Sequence, residues 1–194
     1  MQGDLSITGK PEADELLNTV PLALLIGMLL DQQVPMERAF LSPHDLKERM
    51  GGRLDAAVIA EADSEELAAL FSRTPALHRF PKAMAARTQE LCRIVVERFD
   101  GRAGDVWKVA DGNELLANLK SLPGFGDQKA RIFVALLAKR LGVRPADWEK
   151  AAGPYAEAGF HSVADIDGPE ALRKVREHKK AMKAATKAAA TASA

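Results

Sequence analysis

The stretch Leu119-Lys-Ser-Leu-Pro-Gly-Phe-Gly-Asp-Gln-Lys-Ala-Arg131 constrains this chain more than any other. Its centre, Leu122-Pro123-Gly124-Phe125-Gly126, joins two windows of helical sequence, Asn113–Leu119 before it and Ala130–Leu141 after it. Pro123 fixes φ and ends the first helix. Gly124 and Gly126 are free to take φ > 0 and place no Cβ between backbone and ligand. Leu122 and Phe125 are the two apolar residues that can turn inward and set the angle between the helices. The amides from Gly124 to Asp127 then open a helix N-terminus, where an anion such as a phosphate is favoured. An ordinary corner between two helices would use the same glycines and proline.

Composition excludes several alternatives. The single cysteine, Cys92, leaves no disulfide framework within one chain and no four-cysteine iron–sulfur cluster. The four histidines, His44, His78, His161 and His178, show no metal-ligand spacing. The longest apolar run, Val20–Leu30, is far short of the roughly 20 residues that span a bilayer. The N-terminus does not read as a signal peptide, so a cytoplasmic location is expected. Net charge is zero, which argues against a strong polyanion binder. The charge is unevenly spread, however. Arg173, Lys174, Arg176, Lys179, Lys180, Lys183 and Lys187 are opposed only by Glu177, so this segment is basic and the rest of the chain acidic. One basic segment is enough to bind a polyanion on one side.

Along the chain the apolar spacing is helical throughout, and no strand alternation appears. Residues 1–10 lack periodicity and are expected to fray. A short helix starts at Pro11, and Pro21–Gln33 is apolar on nearly every side, as a buried helix would be. Gly27 within it implies a close helix approach. Met36–Leu41 and Pro43–Met50 read as two short helices, with Ser42 capping the second. Leu54–Ala62 is another, and Asp63-Ser-Glu-Glu66 caps the next. Pro81–Phe99 is the longest helix, with buried Cys92 as a small apolar residue. Asp111 or Asn113 caps the helix into the hairpin. Trp148–Tyr155 is broken by Gly153-Pro154, and a last helix runs from Gly168-Pro169 through Met182 into an Ala/Thr/Lys/Ser tail. An all-α protein of about ten helices results, read as a helical domain over 1–168 and a basic C-terminal helix with a disordered tail over 169–194.

Leu122-Pro-Gly-Phe-Gly126 resembles the helix-hairpin-helix motif, in the form found in the HhH-GPD family of base-excision DNA glycosylases. Leu24-Leu25-Ile-Gly-Met-Leu-Leu-Asp-Gln-Gln33 resembles that family's N-terminal apolar helix, and its Gln-Gln pair resembles the alkyl-purine branch. The resemblance covers roughly residues 20–150. It implies a two-lobed all-α fold and a small member without an iron–sulfur cluster. It implies a partner, double-stranded DNA, and no cofactor beyond a monovalent cation bridging hairpin carbonyls to a phosphate. A monomer with no membrane association is expected.

The resemblance also assigns residues. Leu122, Pro123, Gly124, Phe125, Gly126, Gln128, Lys129 and Arg131 would form the DNA-binding hairpin. Gln33, with Gln32 beside it, would face the DNA; the alternative is a solvated helix end. The family's strand-cleaving lysine, which attacks the sugar carbon, aligns with Gln128. Lys129 is one residue on, about 100° around the helix, so no lyase activity is expected unless Lys129 swings in. The family's aspartate, which stabilises oxocarbenium-like charge as the base leaves, aligns with Asp147; a helix cap is the alternative there. Asp127 is a departure, an acid beside the phosphate position. Trp148 and Tyr155 are candidates for stacking a flipped base, or for core packing. Two functions compete. One is a monofunctional hydrolase, a DNA N-glycosylase releasing a damaged or mismatched base by water attack. The other is a non-catalytic protein that recognises distorted DNA. An all-α interaction domain unrelated to DNA is the third reading.

Overall fold

The computed structural model describes the backbone of residues 3–192 and side chains up to residue 185. Among these it contains ten α-helices and no strand: α1 Pro11–Thr19, α2 Pro21–Leu30, α3 Met36–Arg49, α4 Ala56–Glu61, α5 Ser64–Ser72, α6 Pro81–Phe99, α7 Gly112–Lys120, α8 Asp127–Arg140, α9 Trp148–Ala152 and α10 Pro169–Ala192. The all-α expectation holds. Helices α1 to α6 pack on one another, α7, α8 and α9 form a second packed group, and α10 joins it through the short helical turn at 163–165. One continuous apolar core joins them.

The apolar run at α2 becomes the centre of that core. Leu22 through Leu30 are all buried, nine residues in succession. A Cβ on Gly27 would lie 2.9 Å from the Phe40 ring, so the glycine sets the close crossing of α2 and α3. The expected pair of helices over 36–50 is instead one helix. Pro43 sits inside it, and Ser42 is not a cap: its hydroxyl donates to the carbonyls of Arg38 and Leu77, at 2.8 and 2.6 Å. The buried face of Met36, Ala39, Phe40, Pro43 and Leu46 runs through the proline, and that burial outweighs the lost backbone donor.

Local signals elsewhere translate directly. Asp55, Asp63 and Asp111 accept from the first-turn amides of α4, α5 and α7, so Asp111 rather than Asn113 is the cap. Gly142, at φ 67°, closes α8.

The N-terminal segment is the main correction. It is docked, not frayed. Leu5 and Ile7 are buried, and Asn18 holds Leu5 through two backbone hydrogen bonds. Asp14 accepts from the amides of Ile7 and Thr8. Asp4 N–H donates to the Arg140 carbonyl at 3.0 Å, tying the chain start to the end of α8. Two apolar residues spaced i, i+2 are too few to register as a pattern, which is why the sequence hid this segment. The last helix also continues past Met182 to Ala192. Residues 193 and 194 of the expected tail, and the side chain of Lys187 in the basic segment, lie outside the described part.

Candidate nucleic-acid interface

The hairpin turn is built as its sequence implies, with one difference. Leu122 and Phe125 are buried, and Phe125 meets Phe133 of α8 edge-on at 5.7 Å between centroids. Trp107 packs on the other side of Phe133, at 5.9 Å. The hairpin is thus anchored from beneath by an aromatic chain. Gly124 adopts φ 77°, which a side chain would strain, and a Cβ there would lie 2.7 Å from Leu29 of α2. Gly126 does not use its left-handed freedom. It sits at φ −68°, ψ 172°, a conformation open to any residue, and nothing lies within 4 Å of a Cβ built on it. Its glycine therefore leaves open space in front of the α8 N-terminus rather than serving the backbone. No side chain caps α8, so its first amides remain available to an anion.

Asp127 lies at that N-terminus and is exposed, but it is not unopposed. Its carboxylate is held between Lys120 at 3.0 Å and Arg131 at 2.7 Å. The hydrogen bonds from Arg131 and Lys120 lower its pKa. The cluster carries one surplus positive charge. Arg131 also donates to the Ala151 carbonyl at 2.9 Å, so its guanidinium is committed to α9 as well.

Gln128 and Lys129 point different ways, as one helical step requires. Gln128 Nε2 donates to the Tyr155 hydroxyl at 2.9 Å. Both line a cavity of about 400 Å³ with Ile132, Pro154, Glu157, His161, His178, Lys179 and Met182. Ile132 is one turn beyond Gln128 on the same face of α8. His161 and His178 meet edge-on at 5.1 Å. The loop bearing His161 is fixed by Asp165, whose carboxylate pairs with Lys139 at 2.6 Å and accepts from the amides of His161 and Ser162. The cavity thus combines an aromatic face, apolar walls and several polar tips, and its size suits a small ligand.

Lys129 reaches instead toward α2. Its amine donates to the carbonyls of Met28 and Leu29 at 2.8 and 3.1 Å. Burial, above all, pushes its pKa down to about 8; Asp31 opposes the shift, while Arg87 and Lys179 add to it. Gln32 is largely occupied. It donates to the Leu29 carbonyl and accepts from Arg87, and its own carbonyl bonds His78. Gln33 is exposed, at φ 56°. Gln32 and Gln33 line a second cavity of about 350 Å³ with Arg176 and Lys179. The two cavities share Lys179 of α10, which donates to the Met36 sulfur at 2.9 Å, while Arg176 pairs with Glu37.

Asp147 stands apart from this group. The backbone bridge from Asp111 to Ala146, and the 2.7 Å bond from Gly112 N–H to the Ala146 carbonyl, place it beside the start of α7. The hairpin lies at the other end of that nine-residue helix, about 13 Å away along its axis. Asp147 is exposed, at φ 55°, and its side chain does not cap α9. Trp148 and Tyr155 are both half-buried against the core, and Tyr155 also faces the cavity. Sequence reasoning missed Ile132, Pro154, Glu157, His161, His178, Lys179 and Met182 as cavity residues. Only Ile132 left a signal, its i+4 spacing from Gln128. A further cavity of about 640 Å³ between Pro21, Leu54, Arg102 and Trp107 is lined by none of the expected site residues.

A family model described as HhH-GPD superfamily base excision DNA repair protein matches residues 26–188, most of the chain, including the hairpin, Gln32, Gln33 and Asp147. No curated protein and no solved structure matches the chain significantly.

Proposed function

The chain belongs to the HhH-GPD superfamily of base excision DNA repair proteins, and from that membership we propose that it is a monofunctional DNA N-glycosylase acting on double-stranded DNA. The reading rests chiefly on the cavity next to the hairpin. A duplex phosphate held at the α8 N-terminus brings one strand to the face that opens beside Gln128, and a flipped base has a space of about 400 Å³ to enter. Tyr155 offers a stacking surface there, with its hydroxyl fixed by Gln128. A monovalent cation shared between hairpin carbonyls and that phosphate is part of the same proposal.

Base release is by water. Where the family's lyase lysine would sit, this chain has Gln128, which has no amine to attack the sugar. The nearest amine, Lys129, is bonded to two carbonyls of α2. Asp147 is the family-aligned carboxylate for the oxocarbenium-like charge. Its position beside the α7 start, with no side-chain partner among the described residues, is the observation that favours the second reading, a protein that recognises distorted DNA without releasing a base.

Duplexes carrying uracil, alkylated purines, oxidised guanine or a mismatch separate the two readings, with alkali added to reveal abasic sites. Release from at least one substrate that is lost in Asp147→Asn supports the enzyme and the role of Asp147. Release that survives Asp147→Asn keeps the enzyme and moves the carboxylate role elsewhere, with Glu157→Gln the next variant. Duplex binding without release on any substrate establishes the second reading.

A further inference from the structure

Three helices bring a cation to one short turn. Arg87 of α6 donates to Gln32 Oε1 at 3.2 Å. Lys129 of α8 donates to the last carbonyls of α2. Lys179 of α10 lies 3.9 Å from the Asp31 carboxylate. Capping the negative end of α2 requires one cation, and Lys129 does so alone. Asp31 balances one charge of the three. Arg176 and Glu37 nearby pair with each other and leave the sum unchanged. The three cations and Asp31 sum to a formal charge of +2, partly offset by the negative end of α2, and Lys179 lines a cavity of about 350 Å³ with Asp31, Gln32 and Gln33.

The geometry points to a second phosphate site at this turn, formed by Arg87, Lys129, Lys179 and the exposed Gln33, that receives a DNA phosphate next to the one at the hairpin, Leu29 touching both Gly124 and Lys129. This assignment rests on the DNA-binding reading above. A phosphate there relieves the repulsion among the three cations and accepts from donors that α2 and Asp31 only partly use. Lys179, 3.9 Å from Asp31 and bonded to the Met36 sulfur, turns from these to the phosphate. Lys129 is the member whose charge depends on pH near neutrality. The charged groups facing it are Asp31, Arg87 and Lys179. With its pKa lowered to about 8 by burial, it is charged at neutral pH and takes up a proton on anion binding only at more alkaline pH.

The test is duplex binding by fluorescence anisotropy, as a function of salt and of pH. Wild-type affinity falls about tenfold from pH 7 to pH 9, because an anion that requires the protonated lysine binds in proportion to its protonated fraction. Lys129→Arg, which keeps its charge, removes most of that fall. Lys129→Met binds weakly and without the pH step. Arg87→Gln and Lys179→Gln each reduce the salt slope by about one phosphate contact. Thermal melts confirm that each variant folds. Unchanged salt slopes in both glutamine variants, or a pH step that persists in Lys129→Met, overturn the site. Protection of Lys129 from amine acylation by inorganic phosphate, with duplex binding indifferent to all the substitutions, assigns the turn to a free phosphate and likewise overturns the DNA assignment. The hairpin variant Gly126→Glu separates this inference from the reading beneath it. If wild type binds no duplex, the functional reading fails. If Gly126→Glu weakens binding while the turn variants do not, only the second site fails.

Discussion

At the scale of single residues, two neighbours in α8 do unlike work because a helix turns about 100° between them. Gln128 meets Tyr155 at the cavity, and Lys129 meets the end of α2. That divergence was legible in the sequence, since it depends only on helical periodicity. What Lys129 touches was not, because Met28 is a hundred residues away in the chain. The depressed pKa of Lys129 has a stability consequence. Between its folded value of about 8 and its usual 10.5, the unfolded chain holds a proton that the folded chain has released. Stability therefore rises with pH across that window. Denaturant titrations at pH 7.5 and pH 10 should show wild type gaining stability relative to Lys129→Met. An equal response in both proteins would place the amine in water. Asp127 gives a second prediction. It stands beside the anion position at the α8 N-terminus, bound to Lys120 and Arg131. Asp127→Asn frees both cations and should tighten duplex binding several-fold at low salt, with a steeper salt slope. Weaker binding would mean that the carboxylate orients those cations for the phosphate.

At the scale of elements, the hairpin depends on what lies under it. Phe125 carries the turn onto Phe133, and Phe133 rests on Trp107. Phe125→Ala should cost about 3–5 kcal/mol of stability, read from chemical denaturation. A loss below about 1 kcal/mol would mean that the turn is held by its glycines alone. The sequence announced the hairpin because its proline, glycines and inward apolar residues fall within five positions. Helix α10 was legible as a basic helix but not as a wall of the cavity. Its buried residues, Ala171 and Val175, are too few to mark a docked face, and its hold on the α2 turn is polar, through Arg176 and Lys179. Pro43 misled for the opposite reason. A proline usually breaks a helix, yet here a buried apolar face continues across it.

At the scale of the whole molecule, the fold brings the hairpin and the proposed cation cluster to the same end of one apolar helix. The α8 N-terminus approaches α2 where Gly124 meets Leu29, and the cations of three helices gather where α2 ends. The overall class was legible because helical periodicity is repeated in every segment. The cavity was not, because its walls come from α8, the 154–161 loop and α10, whose residues carry no shared sequence pattern. The count of residues after the hairpin leads to Asp147, and the chain between α8 and α9 sets it, exposed, beside the start of α7 and one turn before Ala151, whose carbonyl accepts from Arg131. The central claim is hydrolytic base release without strand cleavage. It is tested most directly by incubating the protein with end-labelled lesion duplexes and dividing each reaction, one half treated with alkali and the other with borohydride. The account predicts strand breaks at the lesion only after alkali and no protein–DNA adduct after borohydride. Strand breaks without alkali together with a trapped adduct, or no breaks under either treatment on any lesion, would contradict it.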